Sequence, residues 1–156
     1  QENDVRFIRG NHDYPDMCKT VPTWIEDGHF ENDVMFIGGA ASIDRDNRTA
    51  GFDWWPDEEI SDYDFEHILE KYLDLKPKVV VSHDGPHELR KRMFHDHRNV
   101  MTTRTGYWLE VMRYAHKPQV WVFGHWHLNR TLKFEGTLFR CVGIGDNITL
   151  DTALLK

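Results

Sequence analysis

The sequence contains no long apolar run and little cysteine. No stretch approaches the ~20 consecutive apolar residues that a membrane-spanning helix needs. The two cysteines, Cys18 and Cys141, lie far apart and lack the paired spacing of a zinc site, so we expect free thiols in a reducing compartment. No secretory leader is visible either, and the expected location is therefore cytoplasmic.

The sequence also lacks an excess of positive charge. The chain has 19 Lys and Arg residues against 26 Asp and Glu residues, which gives a formal net charge of −7. Nonspecific binding to a phosphate backbone depends on clustered Lys and Arg, so we expect nucleic acid only as a possible substrate. With 156 residues, 40% of them hydrophobic, the chain is long enough for one core but too short to argue for two. Residues 1–156 are therefore expected to form a single domain.

Polar side chains follow an apolar run near the start of the sequence. Residues 5–8 predict a short buried strand, and Gly10 permits a sharp turn before Asn11, His12 and Asp13. A carboxamide, an imidazole and a carboxylate can together bind a metal and move a proton, which hydrolysis at phosphorus requires. Asn, Asp and Gly are also ordinary turn formers, so this segment alone favours a structural turn.

Two later segments show the same arrangement. Residues 78–82 form a β-branched run that ends at His83, and residues 119–123 form an apolar run that is followed by His125 and His127. In extended backbone the last two histidines would point to the same side. Imidazole is a common ligand of transition metals. Three predicted strands that end in such residues therefore indicate a metal site.

These three motifs resemble, in the same order, those of the calcineurin-like metallophosphoesterases. They are Gly-Asn-His-Asp at residues 10–13, Ser-His-Asp-Gly-Pro at residues 82–86 and Gly-His-Trp-His at residues 124–127. The resemblance implies an α/β fold, a four-layer α/β/β/α sandwich in which two sheets flanked by helices hold two divalent metal ions. It favours Mn2+, with Fe, Zn, Ni or Mg as alternatives.

The resemblance also implies roles for single residues. One metal would be bound by Asn11, His83 and His125, and the other metal would be bound by His127. His12 would protonate the leaving oxygen or stabilise charge on the phosphoryl group, while Asp13 holds its ring. These ions would activate a bridging hydroxide, which attacks phosphorus.

The details favour a phosphodiesterase or small-substrate phosphatase over a protein phosphatase. Eukaryotic-type Ser/Thr phosphatases usually have Glu where Asp13 stands, and they lack the second histidine of the pair His125 and His127. Whether the substrate is a diester or a monoester stays open.

The sequence lacks the two earlier motifs of the family, Asp-x-His and Gly-Asp-x-x-Asp. We therefore expect an N-terminally incomplete domain. Its partner would be a chain or upstream segment that supplies these motifs, or a second copy in a homo-oligomer. The alternative function is that of a catalytically silent fragment, or half of a split protein, that acts in binding or assembly.

The remaining patterns predict the elements around these motifs. A hairpin is expected around Asp27-Gly28, and a long polar connection over residues 42–60 is expected to form a rim of the active-site cleft. Arg98 and Arg104 are candidates for binding substrate phosphate, because guanidinium matches phosphate oxygens in a two-point fashion. The other expected elements are a strand at 34–41, helices at 61–76, 87–94 and 105–116, and strands at 131–134, 137–142 and 148–155.

Overall fold

The computed structural model describes residues 4–94 and 102–150, which form a mixed α/β fold with a six-stranded sheet. The strands are β1 (His29–Glu31), β2 (Val34–Ile37), β3 (Val79–Ser82), β4 (Val120–Phe123), β5 (Arg130–Phe134) and β6 (Thr137–Cys141). The helices are α1 (Pro15–Cys18), α2 (Asp62–Leu75), α3 (His87–Phe94) and α4 (Arg104–Ala115), with a short 3-10 turn at Arg45–Asn47. Within the described residues, no helix is both long and apolar enough to cross a membrane.

The strands lie in the order β1-β2-β3-β4-β6-β5. The four inner strands β2, β3, β4 and β6 run parallel, and the two edge strands pair antiparallel with their neighbours. One face of the sheet forms the core, because side chains in register across the inner strands are fully buried there. This row consists of Met35, Val80, Trp121 and Phe139.

Helix α2 begins and ends where the sequence predicts a helix. The Ser61 hydroxyl accepts a hydrogen bond from the Asp64 amide and so caps the first turn. Phe65, Ile68 and Tyr72 recur at helical spacing and are buried in the core. The helix connects β2 to the parallel strand β3 and so forms a strand-helix-strand crossover. The predictions of α3, α4, β5 and β6 are confirmed to within a residue at each end.

A turn forms at Asp27-Gly28, but the prediction that it joins the two strands of a hairpin is wrong. The hairpin joins β1 to β2 and turns at Asn32 and Asp33, which both have positive φ, 49° and 63°. Asn and Asp tolerate this conformation better than most residues, and such turns match the twist of paired strands. The Asp27 carboxylate binds the Gly38 amide and the Arg9 guanidinium instead.

Three other predicted strands differ from the structure. The strand predicted at 34–41 is shorter, since β2 ends at Ile37. Residues 5–8 make only an isolated bridge, between Phe7 and Trp24, and Val5 is 70% exposed. Residues 148–150 are irregular, and the rest of the predicted last strand lies outside the described residues. Apolar content alone therefore did not identify a sheet strand near either end of the sequence. Whether a short apolar run joins a sheet depends on the strands available to pair with it.

Candidate metal-binding site

Two neighbouring parallel strands bring His83 and His125 together. His83 directly follows β3, and His125 lies two residues after β4. Since Ser82 and Phe123 are in register, both strands end at the same edge of the sheet. The centroids of the two imidazole rings are 5.2 Å apart.

Asn11 reaches the same place from the amino-terminal segment. Its Oδ1 lies 3.1 Å from Nε2 of His83. The segment is held by a hydrogen bond from the Gly39 amide to the Arg9 carbonyl. Glycine is required at position 10, because a Cβ there would lie 2.9 Å from Cε1 of the His83 ring. The sequence expectation that Asn11, His83 and His125 converge agrees with this geometry.

Burial favours the neutral form of both imidazoles, because it lowers the pKa of each ring. It lowers the pKa of His83 to about 3, with the positive charge of a protonated His125 as the next cause. Burial also lowers the pKa of His125, although the nearby Asp84 carboxylate opposes that shift. A neutral imidazole has a free lone pair on one nitrogen, so both rings are suited to bind a cation at neutral pH.

A buried carboxylate connects the two histidine loops. Asp84 is 5% exposed, and its Oδ1 accepts hydrogen bonds of 2.7 Å from the Gly85 amide and from Nε1 of Trp126. Burial raises the pKa of Asp84. The bond to Trp126 spans the ends of β3 and β4 and so fixes the turn that carries His125. The sequence analysis missed this role, because an Asp after a strand is ordinarily a turn residue.

The expectation that the backbone is extended at His125 and His127 is wrong. His125 and His127 both have positive φ, 59° and 54°. The alternation of side chains along a strand therefore does not apply to them. His127 is exposed, and among the described residues it has no hydrogen bond or ring contact with His83 or His125. Its charge nevertheless lowers the pKa of both rings.

His12 lies next to the site and is exposed. Its Nε2 is 3.2 Å from Nδ2 of Asn11. Asp13, which the resemblance assigns to holding the His12 ring, uses Oδ2 to accept a 2.6 Å hydrogen bond from the Gly10 amide. Within the described part of the chain, no hydrogen bond joins Asp13 to His12, so the assigned role of Asp13 stays a prediction.

Of the two arginine candidates, the structure describes only Arg104, which does not line the depression beside His125. Arg104 lines a cleft of about 630 Å3 together with Arg9 and Trp24, whereas His125 borders a separate shallow depression. Arg98 lies outside the described residues. Arg90, on α3, borders the depression beside His125, and no pattern in the sequence distinguished it from other exposed arginines.

Asn11, His83 and His125 are the side chains that could hold a single cation. Among residues 4–94 and 102–150, no three His, Cys, Asp or Glu residues converge to hold a metal ion. Asn11, which is of another residue type, places its amide oxygen beside the imidazole of His83. Two neighbouring ligand atoms, each ~2.1 Å from one metal at a right angle, are about 3 Å apart, which agrees with the 3.1 Å between Asn11 and His83.

Comparison with known proteins does not assign a family. No protein-family model matches the sequence, and no curated protein matches it. The functional argument therefore rests on the residues and geometry of the site.

Proposed function

We propose that the chain is the later part of a calcineurin-like metallophosphoesterase, a metal-dependent phosphoester hydrolase. The observation that carries the proposal is the 3.1 Å approach of Asn11 Oδ1 to His83 Nε2, with the His125 ring beside it. Three segments that are distant in sequence supply these atoms, and two of the three ligands follow neighbouring parallel strands. Ligands gathered at strand ends in this way are typical of enzyme sites in α/β proteins.

The chemistry of the site supports hydrolysis at phosphorus. A divalent cation held there would neutralise charge on the phosphoryl oxygens and make a water molecule a better nucleophile. His12, which is exposed and lies beside Asn11, would give a proton to the leaving oxygen. Arg90 beside the depression provides a positive charge that can contact the phosphate.

The proposed fold is the four-layer sandwich, and the half-buried second face of the sheet supports it. On this face Phe36, Val81 and Val122 lie in register and are only partly buried. A second sheet packed there would cover these side chains and bring further ligands to the same edge. We propose that a segment or partner chain carrying Asp-x-His and Gly-Asp-x-x-Asp provides it, and with it the second metal site.

A second candidate function is binding or assembly without catalysis. It is favoured by the lack of a carboxylate among the three converging ligands, since carboxylates commonly bridge paired metal ions in such hydrolases. In that case the chain would bind one cation and have no hydrolase activity, even in the presence of its partner.

Metal analysis combined with a phosphoester assay tests the proposal. The purified chain should bind about one Mn2+, and it should hydrolyse chromogenic phosphodiesters or phosphomonoesters when the missing motifs are supplied. His83→Ala and His125→Ala should lose metal and activity, while His12→Ala should keep metal and lose turnover. His67→Ala is the control, because His67 is exposed on α2 and binds the Tyr63 carbonyl. Equal metal loss in the His12 and His83 variants would contradict the assigned roles.

A further inference from the structure

A chain of buried polar groups leads away from the candidate metal site. Nδ2 of Asn11 donates to Oγ of Ser42 at 3.0 Å, and Oγ of Ser42 donates to Oε2 of Glu58 at 2.6 Å. The Ser42 amide donates to Oε1 of Glu58 at 2.7 Å. Asn11, Ser42 and Glu58 are 6%, 1% and 3% exposed, so water does not compete with these bonds.

Only one assignment of donors and acceptors is consistent with these hydrogen bonds. The Glu58 carboxylate only accepts, and its two oxygens receive the amide and the hydroxyl hydrogens of Ser42. Because the hydroxyl has a single hydrogen, Oγ of Ser42 must accept from Asn11. The group of Asn11 that faces it is therefore the NH2 group, whose second hydrogen faces Nε2 of His12. The amide oxygen is left to face His83.

We propose that Glu58 and Ser42 are positioning residues that turn the amide oxygen of Asn11 toward His83 and the bound cation. The inference rests on the proposed function, since it assumes that Asn11 is a metal ligand. The oxygen and nitrogen ends of an amide are nearly the same size, so packing alone does not select between them. A reversed amide would present two hydrogens to the cation and would not bind it.

Glu58 is itself held against the segment that carries Asn11. The Arg9 guanidinium donates to the Glu58 carbonyl at 2.9 Å, and Arg9 lies two residues before Asn11. Hydrogen bonds thus connect Arg9 to Glu58, Glu58 to Ser42 and Ser42 to Asn11, so both ends of this network lie in the same segment. This arrangement gives a function to the two ends of the long connection over residues 42–60, which the sequence analysis placed at the rim of the cleft.

Glu58→Gln tests the inference, because it keeps the shape of the side chain and reverses the direction of the hydrogen bonds. The carboxamide oxygen of the introduced glutamine must accept from the Ser42 amide, so its NH2 group faces Oγ of Ser42. The hydroxyl hydrogen is then free to point at Asn11, and it favours the amide oxygen there. The amide of Asn11 should rotate, and Mn2+ affinity measured by calorimetry should fall roughly 10- to 100-fold.

The decisive comparison repeats Glu58→Gln in protein that also carries Asn11→Asp. A carboxylate presents oxygen in both directions, so its rotation does not remove a ligand. In the double variant the freed Ser42 hydroxyl can donate to the carboxylate introduced at position 11, and Glu58→Gln should therefore leave Mn2+ affinity unchanged or raise it. The control is Glu59→Gln, which removes the same charge one residue away, where the carboxylate accepts from the Thr105 amide. This control should bind Mn2+ as the wild type does.

NMR of Asn11 and measurements of Mn2+ affinity distinguish a wrong positioning role from a wrong metal site. In metal-free protein, the side-chain 15N resonances of Asn11 should shift in Glu58→Gln and stay unchanged in Glu59→Gln. Wild-type Mn2+ affinity in Glu58→Gln, or an equal loss with and without the Asn11→Asp substitution, would overturn the positioning role while leaving the metal site intact. If Asn11→Ala leaves Mn2+ affinity unchanged, the metal site itself is wrong and the positioning role falls with it.

Discussion

Replacing Arg9 by Met should strongly destabilise the fold, because Arg9 is a buried cation with three partners. Its side chain is 7% exposed, and its Nε lies 2.9 Å from Oδ2 of Asp27. It also donates to the carbonyls of Asp57 and Glu58 at 3.2 and 2.9 Å. The Arg9→Met variant keeps most of the apolar stem but leaves the Asp27 carboxylate and two carbonyls without this donor.

The expected loss in free energy of unfolding is about 3 kcal/mol. Removing one partner of a buried ion pair typically lowers the free energy of unfolding by about 3–5 kcal/mol, since the other charge stays buried without a partner. The lower end applies here because the Asp27 side chain keeps 17% exposure and a hydrogen bond from the Gly38 amide. Urea unfolding followed by tryptophan fluorescence measures this loss directly.

Two further variants make the reasoning refutable. Arg48→Met breaks a more exposed pair, in which the Arg48 and Asp44 side chains are 23% and 48% exposed, and it should cost much less than Arg9→Met. Arg9→Met combined with Asp27→Asn removes the stranded charge, so the double variant should be more stable than Arg9→Met alone. A loss below about 1 kcal/mol for Arg9→Met, or a double variant no more stable than the single one, would refute the argument.

Two other predictions concern pH and helix α2. Because the pKa of His83 falls from its usual 6.5 to about 3 in the folded protein, the unfolded state binds a proton in this pH window and the folded state does not. The free energy of unfolding should therefore decrease as pH falls from 6.5 toward 3, by up to about 1.4 kcal/mol per pH unit, and His83→Gln measured in EDTA should lose this slope. Lys76 ends α2 with φ of 47°, so Lys76→Gly should raise the stability by roughly 0.5–1 kcal/mol in urea unfolding, and a decrease would contradict that argument.

Much of the sheet and the two strand-end histidines could be predicted from the sequence. Residues 79–82 and 120–123 are β-branched and aromatic runs that are largely buried in the middle of a parallel sheet, which is the pattern that such strands show. Once two such strands are parallel neighbours, His83 and His125 must lie at the same edge. Local pattern and topology together therefore predict this pair.

The groups that orient the site could not be predicted in the same way. Ser42 and Glu58 lie in a polar connection, where neither has a periodic pattern that would indicate burial. Ser42 accepts a hydrogen bond from Asn11, 31 positions before it, and donates to Glu58, and such long-range pairing leaves no local trace. The hairpin turn was misplaced for the same reason, because the distant Arg9 and Gly38 engage Asp27.

Anomalous X-ray diffraction from crystals containing Mn2+ tests the central claim most directly. We expect a peak within about 2.1–2.3 Å of Asn11 Oδ1, His83 Nε2 and a ring nitrogen of His125, since these are ordinary metal-ligand distances. Peaks bound only by other residues, or no peak between these three side chains at saturating Mn2+, would contradict the account.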